Sequence, residues 1–201
     1  DTIKKFKLGY SLKQKDALLL AFRTESVRSD AMQQSGLFID TKNGYMDRFR
    51  GRIMFSISNS AGKIAAFAGR VFESDDPAKY INSPETPIYN KSKIFYGLHE
   101  TKQIIRNSKS VIVVEGYLDF LQLYQSGIHN IVAVSGTAFT KQHAFQLKRF
   151  CNEVYIAYDG DTAGRTAAIR AGYVLLRSGI SPFIINIPDG LDPDDWVGVF
   201  K

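Results

Sequence analysis

The run Ser110-Val-Ile-Val-Val-Glu-Gly-Tyr-Leu-Asp119 decides the reading of this chain. Its β-branched residues predict a buried strand ending in an acid, Glu115, and Tyr117 to Ser126 then carries apolar residues at helical spacing until Gly127. The pattern repeats downstream. Asn130 to Ser135 is a second apolar run, closed by Gly136-Thr137, and Thr140 is placed to cap a helix from Lys141 to Phe150. Val154 to Tyr158 runs into Asp159-Gly160-Asp161, and a helix from Ala163 to Arg177 ends before Gly179. Phe183 to Ile187 is a fourth buried run, followed by Pro188-Asp-Gly190. Four strands alternating with three helices predict an α/β fold, a parallel sheet with flanking helices joined by right-handed crossovers.

The region before this sheet has another rhythm. Lys13 to Phe22 predicts a helix, and Arg52 to Ser58 and Ile64 to Phe72 predict two strands around a hairpin loop, Asn59 to Lys63. Asp75 to Pro77 breaks that pattern, Lys79 to Tyr89 reads as an ordered loop rich in Pro, Asn and Ser, and Leu98 to Arg106 predicts a helix. The change of pattern near Asn107–Lys109 divides the chain into a smaller α+β subdomain, 1–108, and the parallel-sheet subdomain, 109–201.

Charge follows the same division. Residues 1–108 hold 18 Lys/Arg against 11 Asp/Glu, and residues 109–201 hold 8 against 9, so the net +6 lies in the first half. Such a half either attracts a polyanion or is simply well solvated. At 201 residues with 44% hydrophobic and 12% aromatic content, the chain is a folded globular protein rather than a disordered one. The longest apolar run, Ala17 to Phe22, is too short to cross a membrane, and no signal-peptide series opens the sequence. One cysteine, Cys151, excludes an intrachain disulfide and a zinc site of two or more thiolates. The expectation is a soluble cytoplasmic protein with no membrane partner and no zinc in this segment.

Ligand sites in parallel sheets form beyond the carboxyl ends of the strands. Glu115 and Asp119 follow the first strand, Asp159 and Asp161 the third, and Asp192 and Asp194 the fourth, with Gly116, Gly160 and Gly190 beside them. Each pair also has a structural reading, as acids at a helix N-terminus, a turn with a helix cap, or a Pro-initiated helix start. Their convergence on one edge favours a site for hard cations, Mg²⁺ or Mn²⁺, two of which suit in-line phosphoryl transfer.

At these residues the chain resembles the TOPRIM fold of primases, topoisomerases and some nucleases, with Glu115 ending the first strand and Asp159/Asp161 the third. The fuller strings Val114-Glu-Gly-Tyr-Leu-Asp119, Ser135-Gly-Thr-Ala138, Tyr158-Asp-Gly-Asp-Thr-Ala-Gly-Arg165 and Pro188-Asp-Gly-Leu-Asp-Pro-Asp194 resemble bacterial DnaG-type primase. So do Arg48-Phe-Arg-Gly-Arg-Ile-Met-Phe55 and Lys79-Tyr-Ile-Asn-Ser-Pro-Glu-Thr-Pro87 in the first half. The resemblance implies an RNA polymerase core that makes short RNA primers on single-stranded DNA from nucleotide triphosphates, for replication. It implies that Glu115, Asp119, Asp159, Asp161, Asp192 and Asp194 are the catalytic, metal-binding acids for two or more ions. It also offers Glu115 as general base toward the attacking 3′-hydroxyl, although a metal-bound carboxylate is a compromised base. Arg48, Arg50, Arg52, Arg70, Lys79, Tyr80, Asn82 and Lys91 correspond to a basic groove for template and nucleotide phosphates. Tyr80 suits base stacking or loop packing, and Arg52 suits phosphate contact or plain solvation.

Ser56 stands where the family commonly has proline, and Ser135 where it has leucine; neither is expected to touch the acids. Family members also carry a zinc-binding domain, a helical third part of the core and a C-terminal helicase-binding domain, so the sequence reads as a fragment that meets the replicative helicase only through a domain absent here. The nearest alternatives are a TOPRIM nuclease using the same acids and a catalytically inert nucleic-acid-binding module. A topoisomerase lacks a marked tyrosine nucleophile, and Ala163 removes the threonine that an aspartate-nucleophile phosphatase requires.

Overall fold

The computed structural model describes residues 2–72 and 76–199; Asp75, expected to begin a break in the pattern, lies outside them. Two compact units divide between Asn90 and Lys91, with the hairpin tip Ser58–Lys63 grouped with the second. The expected boundary near residue 108 therefore moves upstream. The physical reason is the helix Leu98–Ser108, whose Leu98 and Ile105 share one core with the parallel sheet.

The first unit begins with α1 (Thr2–Lys5), β1 (Gly9–Ser11), α2 (Ala17–Thr24) and α3 (Ser29–Gln34). A two-stranded hairpin of β2 (Phe38–Thr41) and β3 (Gly44–Asp47) follows, and then β4 (Arg52–Ser58), β5 (Ile64–Val71) and β6 (Tyr80–Asn82). The four-stranded sheet runs β1-β4-β5-β6, with β1 antiparallel to β4 and β6 antiparallel to β5. The loop expected over 79–89 thus opens with a short edge strand, in which Tyr80 faces Arg70 and Asn82 faces Ala68.

Helix α2 starts at Ala17 rather than Lys13 because its cap comes from a distant element. The Leu18 and Leu19 N–H groups donate to the buried Asp47 carboxylate at 2.6 and 3.0 Å, whereas Asp16 makes no side-chain cap.

The second unit adds α4 (Leu98–Ser108), β7 (Ser110–Val114), α5 (Tyr117–Gln125), β8 (Ile131–Ala133), α6 (Lys141–Leu147), β9 (Glu153–Ile156), α7 (Thr162–Arg177), β10 (Ser181–Ile184) and α8 (Pro193–Val199). The sheet order is β10-β9-β7-β8, with every pairing parallel. The alternating pattern of the sequence is realised strand for strand, but the fourth strand is not the buried one expected over 183–187: it runs Ser181–Ile184, and as the sheet's edge it leaves Phe183 and Ile184 44% and 51% exposed. Pro182 is tolerated because β10 is an edge strand, where a missing N–H costs no ladder bond on the open side. The core joins Val111 and Val113 of β7, Val154 and Ile156 of β9, Ala144 and Leu147 of α6, and Ala168, Ala171 and Leu175 of α7. Thr140 caps α6 by accepting from the His143 N–H at 3.1 Å, while the His143 ring is fully buried against Phe95. Among the described residues no helix is long and apolar enough to cross a membrane.

Candidate active site

The carboxyl edge of the parallel sheet positions all six expected acids, and it sorts them. Asp119 lies in the first turn of α5, and Asp192 and Asp194 lie at the start of α8, which packs against α5. One carboxylate oxygen from each of these three lies within 4.8 Å of the others. Three hard oxygen donors at that spacing suit a divalent cation, and no other group of three or more His, Cys, Asp or Glu among the described residues is so placed. Glu115 stands apart from this trio. Asp159 acts electrostatically on both Glu115 and Asp119 and so links the two parts of the site.

Local backbone geometry fixes each group. Asp119 is only 8% exposed, and one of its oxygens accepts from the Gly116 N–H at 2.9 Å. Burial raises its pKa from 3.8 to about 7; Asp159, Asp192 and Asp194 add to the rise, and the Gly116 N–H opposes it. Glu115 titrates above the usual carboxylate range, chiefly through burial and then through the Asp159 charge, while the Asp159 N–H donates to it. Asp159 is raised by burial and by Asp192 and Asp161. Such mutual repulsion is relieved by a cation.

Asp161 and Asp192 also serve the helices that carry them. Asp161 accepts from the Gly164 N–H at 2.7 Å as the cap of α7, and Asp192 accepts from the Asp195 N–H at 2.8 Å at the start of α8. The capping and the clustering readings of these acids therefore coexist. Two glycines bring the backbones together. A Cβ on Gly160 would lie 2.0 Å from the Pro188 carbonyl oxygen, and one on Gly164 would lie 2.3 Å from that of Asp159. The Gly160 N–H also donates to the Leu191 carbonyl at 2.9 Å, tying the loop after β9 to the loop before α8.

The expected basic groove is divided between the units: Lys91 belongs to the second, the other seven residues to the first. Arg48 donates to the Gly36 carbonyl at 2.9 Å, and Arg50 donates to that of Asp47. The Arg70 guanidinium lies 6.0 Å from the Tyr80 ring centre across the β5–β6 pair, with Asn82 two positions along the same face and Lys79 exposed beside it. Arg52 corrects the expectation placed on it. It is 1% exposed, donates to the Gly69 and Ala78 carbonyls at 3.2 and 2.9 Å, and pairs with Asp76 at 2.6 Å. Its charge is spent inside the first unit, so it neither contacts phosphate nor points to solvent.

A cavity of about 340 Å³ opens beside Glu115 in the second unit, with Thr137, Phe139, Tyr158 and Arg170 in its walls. Tyr158 and Arg170 are not among the residues that motif reading singled out, although Tyr158 adjoins Asp159 in a quoted string. Ser135, at the entry to the Gly136–Phe139 loop, adopts a left-handed φ of 56° while its N–H donates to the Glu115 backbone carbonyl at 2.9 Å.

Comparison with known proteins agrees with this geometry. The family described as DNA primase catalytic core, N-terminal domain, matches residues 1–102, and the Toprim-like family matches residues 112–197. A DNA primase of Listeria monocytogenes is 44% identical over 81% of this chain and 26% of its own length. One of Clostridium acetobutylicum is 40% identical over 98% of this chain and 33% of its own length. The chain thus spans about a third or less of these two relatives. Among solved structures, the zinc-binding and RNA polymerase domains of the Aquifex aeolicus primase superpose with a TM-score of 0.91 at 36% identity, covering 99% of this chain and 49% of that one. A DnaG primase catalytic domain bound to single-stranded DNA gives 0.87 at 38% identity, over 98% and 63%. With half of its length matched to that catalytic-core domain and the remainder folded as the Toprim-like sheet that carries the acids, the chain belongs to the DNA primase catalytic core family.

Proposed function

We propose that this chain is the catalytic core segment of a primase, a DNA-dependent RNA polymerase that joins ribonucleotides into short primers on single-stranded DNA. The observation that carries the reading is the Asp119–Asp192–Asp194 group at the edge of the Toprim-like sheet, with Asp159 joining it electrostatically to Glu115. Mg²⁺ or Mn²⁺, when bound there, supplies Lewis-acid stabilisation of the charge that develops on phosphoryl oxygens. The chain's own residues do the rest. The Gly116 N–H orients Asp119, the Asp159 N–H orients Glu115, and the caps of α7 and α8 orient Asp161 and Asp192. Arg48, Arg50, Arg70, Lys79, Tyr80, Asn82 and Lys91 are the proposed contacts for template and nucleotide phosphates, with Tyr80 offering a stacking face. A relative of known structure that holds single-stranded DNA supports the template as partner. The replicative helicase is the proposed partner of a segment beyond these residues, and the nucleoid the proposed place of action.

The test is primer synthesis from nucleotide triphosphates on single-stranded DNA by the full-length protein, with Glu115→Gln and Asp159→Asn. Both substitutions abolish synthesis and leave DNA binding intact. Synthesis persisting in both would overturn the assignment, and template degradation in place of synthesis would identify a nuclease.

A further inference from the structure

The cavity between α6 and α7 takes no part in the chemistry of the acids. It measures about 880 Å³, lies wholly within the second unit, and has Lys93, Lys141, Lys148, Arg149 and Arg177 in its walls. In the sheet order β10-β9-β7-β8, α5 steps from β7 outward to β8, whereas α6 and α7 step the other way. Right-handed crossovers therefore put α5 on one face of the sheet and α6 and α7 on the other. The packing agrees: α6 and α7 share one core with the sheet, and α5 lies against α8. The 16 residues of α7 carry the chain from its cap Asp161 to Arg177, about 24 Å. That is several Debye lengths at physiological salt, so the acid edge does not neutralise the cations at this end.

All five cations are exposed, and no acid lines the cavity. Among the described residues, the side chains of Lys93, Lys141, Arg149 and Arg177 make no ion pair or hydrogen bond, while Lys148 donates to the Ser178 carbonyl at 2.7 Å. Two bonds sort the cations into groups. The Thr140 hydroxyl donates to the Ser92 carbonyl at 2.7 Å, which brings Lys93 to the start of α6, where Lys141 lies. The Lys148–Ser178 bond brings the end of α7, with Arg177, to the end of α6, where Arg149 lies. The 7 residues of α6 separate the groups by about 10 Å. Between them stand Phe145, 72% exposed, and the half-buried Val174. An apolar patch rimmed by charge marks an interaction surface.

The partner is specified by charge, anionic at both ends and apolar in the middle. A nucleic-acid strand carries a phosphate at every nucleotide and would lay one across the Phe145–Val174 middle, where no cation meets it. An extended peptide advances about 3.3 Å per residue, so two acids three positions apart reach both groups, and the side chains between them cover Phe145. We propose that the α6–α7 cavity is a docking site for an acidic segment of a partner protein, whose carboxylates meet Lys93 and Lys141 at one end and Arg149 and Arg177 at the other, and whose apolar residue between them packs on Phe145. The guanidinium forks set the orientation, because each engages both oxygens of a carboxylate. Phe145 is the anchor, shielded from water only when the segment is bound. The face lies behind the sheet from α5, so docking does not compete with the Asp119–Asp192–Asp194 group.

The experiment is fluorescence anisotropy of an end-blocked, fluorescein-labelled peptide, Glu-Glu-Leu-Leu-Glu-Glu, titrated with the chain at low and at physiological salt. Phe145→Ala and the double variant Arg149→Ala/Arg177→Ala each weaken binding about tenfold. Lys42→Ala, an exposed cation of the first unit, changes it by less than about twofold. Replacing both leucines by serine weakens binding to the parent as Phe145→Ala does and adds little in that variant, since one contact cannot be lost twice. The substituted positions are exposed, so the thermal midpoint stays near the parent's. A peptide that does not bind the parent, binding that survives the cavity substitutions, or leucines replaced at no cost overturns the proposal. So does an oligothymidylate of the same length that binds the cavity more tightly than the peptide, which identifies a nucleic-acid track instead. The primase reading fails or stands separately: the cavity variants keep primer synthesis, and Glu115→Gln, which abolishes synthesis, keeps peptide binding.

Discussion

Asp119 is an acid that the fold holds against its own stability, and replacing it by asparagine makes the metal-free protein more stable at neutral pH. Its pKa rises from 3.8 to about 7 on folding, first through burial and then through Asp159, Asp192 and Asp194. The folded chain therefore binds this proton more tightly than the unfolded chain does. Stability is gained as pH falls through 7 toward 4 and is lost as pH rises, with the full penalty present above 7. That rise in pKa corresponds to roughly 4 kcal/mol. Asparagine keeps an acceptor for the Gly116 N–H and has no charge to bury. The difference between variant and parent is close to zero near pH 4, grows between pH 4 and 7, and levels off above. His143 titrates in the opposite sense. Burial depresses its pKa to about 4, so it subtracts stability as pH falls below 6.5, but it is common to both chains and cancels in the difference.

Urea unfolding in EDTA at pH 4.5, 6, 7 and 8 measures this difference. Trp196, the single tryptophan, lies in α8 just past Asp194, so its fluorescence follows the unit that holds the site. Adding Mg²⁺ stabilises the parent by mass action and the variant far less, which narrows the difference at pH 8. An Asp119→Asn chain that is less stable than the parent at pH 8 without metal, or a difference independent of pH, would refute the reasoning.

Three further outcomes concern single positions. Arg52→Ala removes a buried guanidinium that satisfies the Gly69 and Ala78 carbonyls; it lowers the stability of the first unit by about 2–4 kcal/mol and leaves the salt slope of DNA binding unchanged, whereas Lys79→Ala reduces that slope by about 1. A reduced slope in Arg52→Ala at unchanged stability contradicts its burial. Gly160→Ala drives a Cβ to within 2.0 Å of the Pro188 carbonyl oxygen, so it lowers the thermal midpoint and weakens Mg²⁺-dependent stabilisation, and an unchanged midpoint with an unchanged Mg²⁺ response excludes the close approach of these loops.

The parallel sheet was legible because its signal is local: four β-branched runs, each followed by a helical repeat or a turn, carry their own periodicity. The first unit was less legible where its elements depend on remote partners. The start of α2 waits on a carboxylate in β3, and β6 is a strand only because β5 lies beside it. Arg52 shows the same limit. Alternation along β4 leaves a charged side chain free to face solvent, and only the Asp76 carboxylate and the carbonyls of Gly69 and Ala78, brought in from other parts of the chain, make its burial tolerable.

At the site, the sequence alone determined that six acids stand at one edge of the sheet, because each follows a strand or opens the helix after it. How they are shared out was decided by tertiary structure. The packing of α5 on α8 gathers Asp119 with Asp192 and Asp194, while the cavity in which Tyr158 and Arg170 join Glu115 needs the Gly136–Phe139 loop and α7 brought together. Order along a strand settles which edge a residue reaches. Which other residues meet it there depends on contacts between chain segments far apart in sequence, and those form only when the whole unit packs.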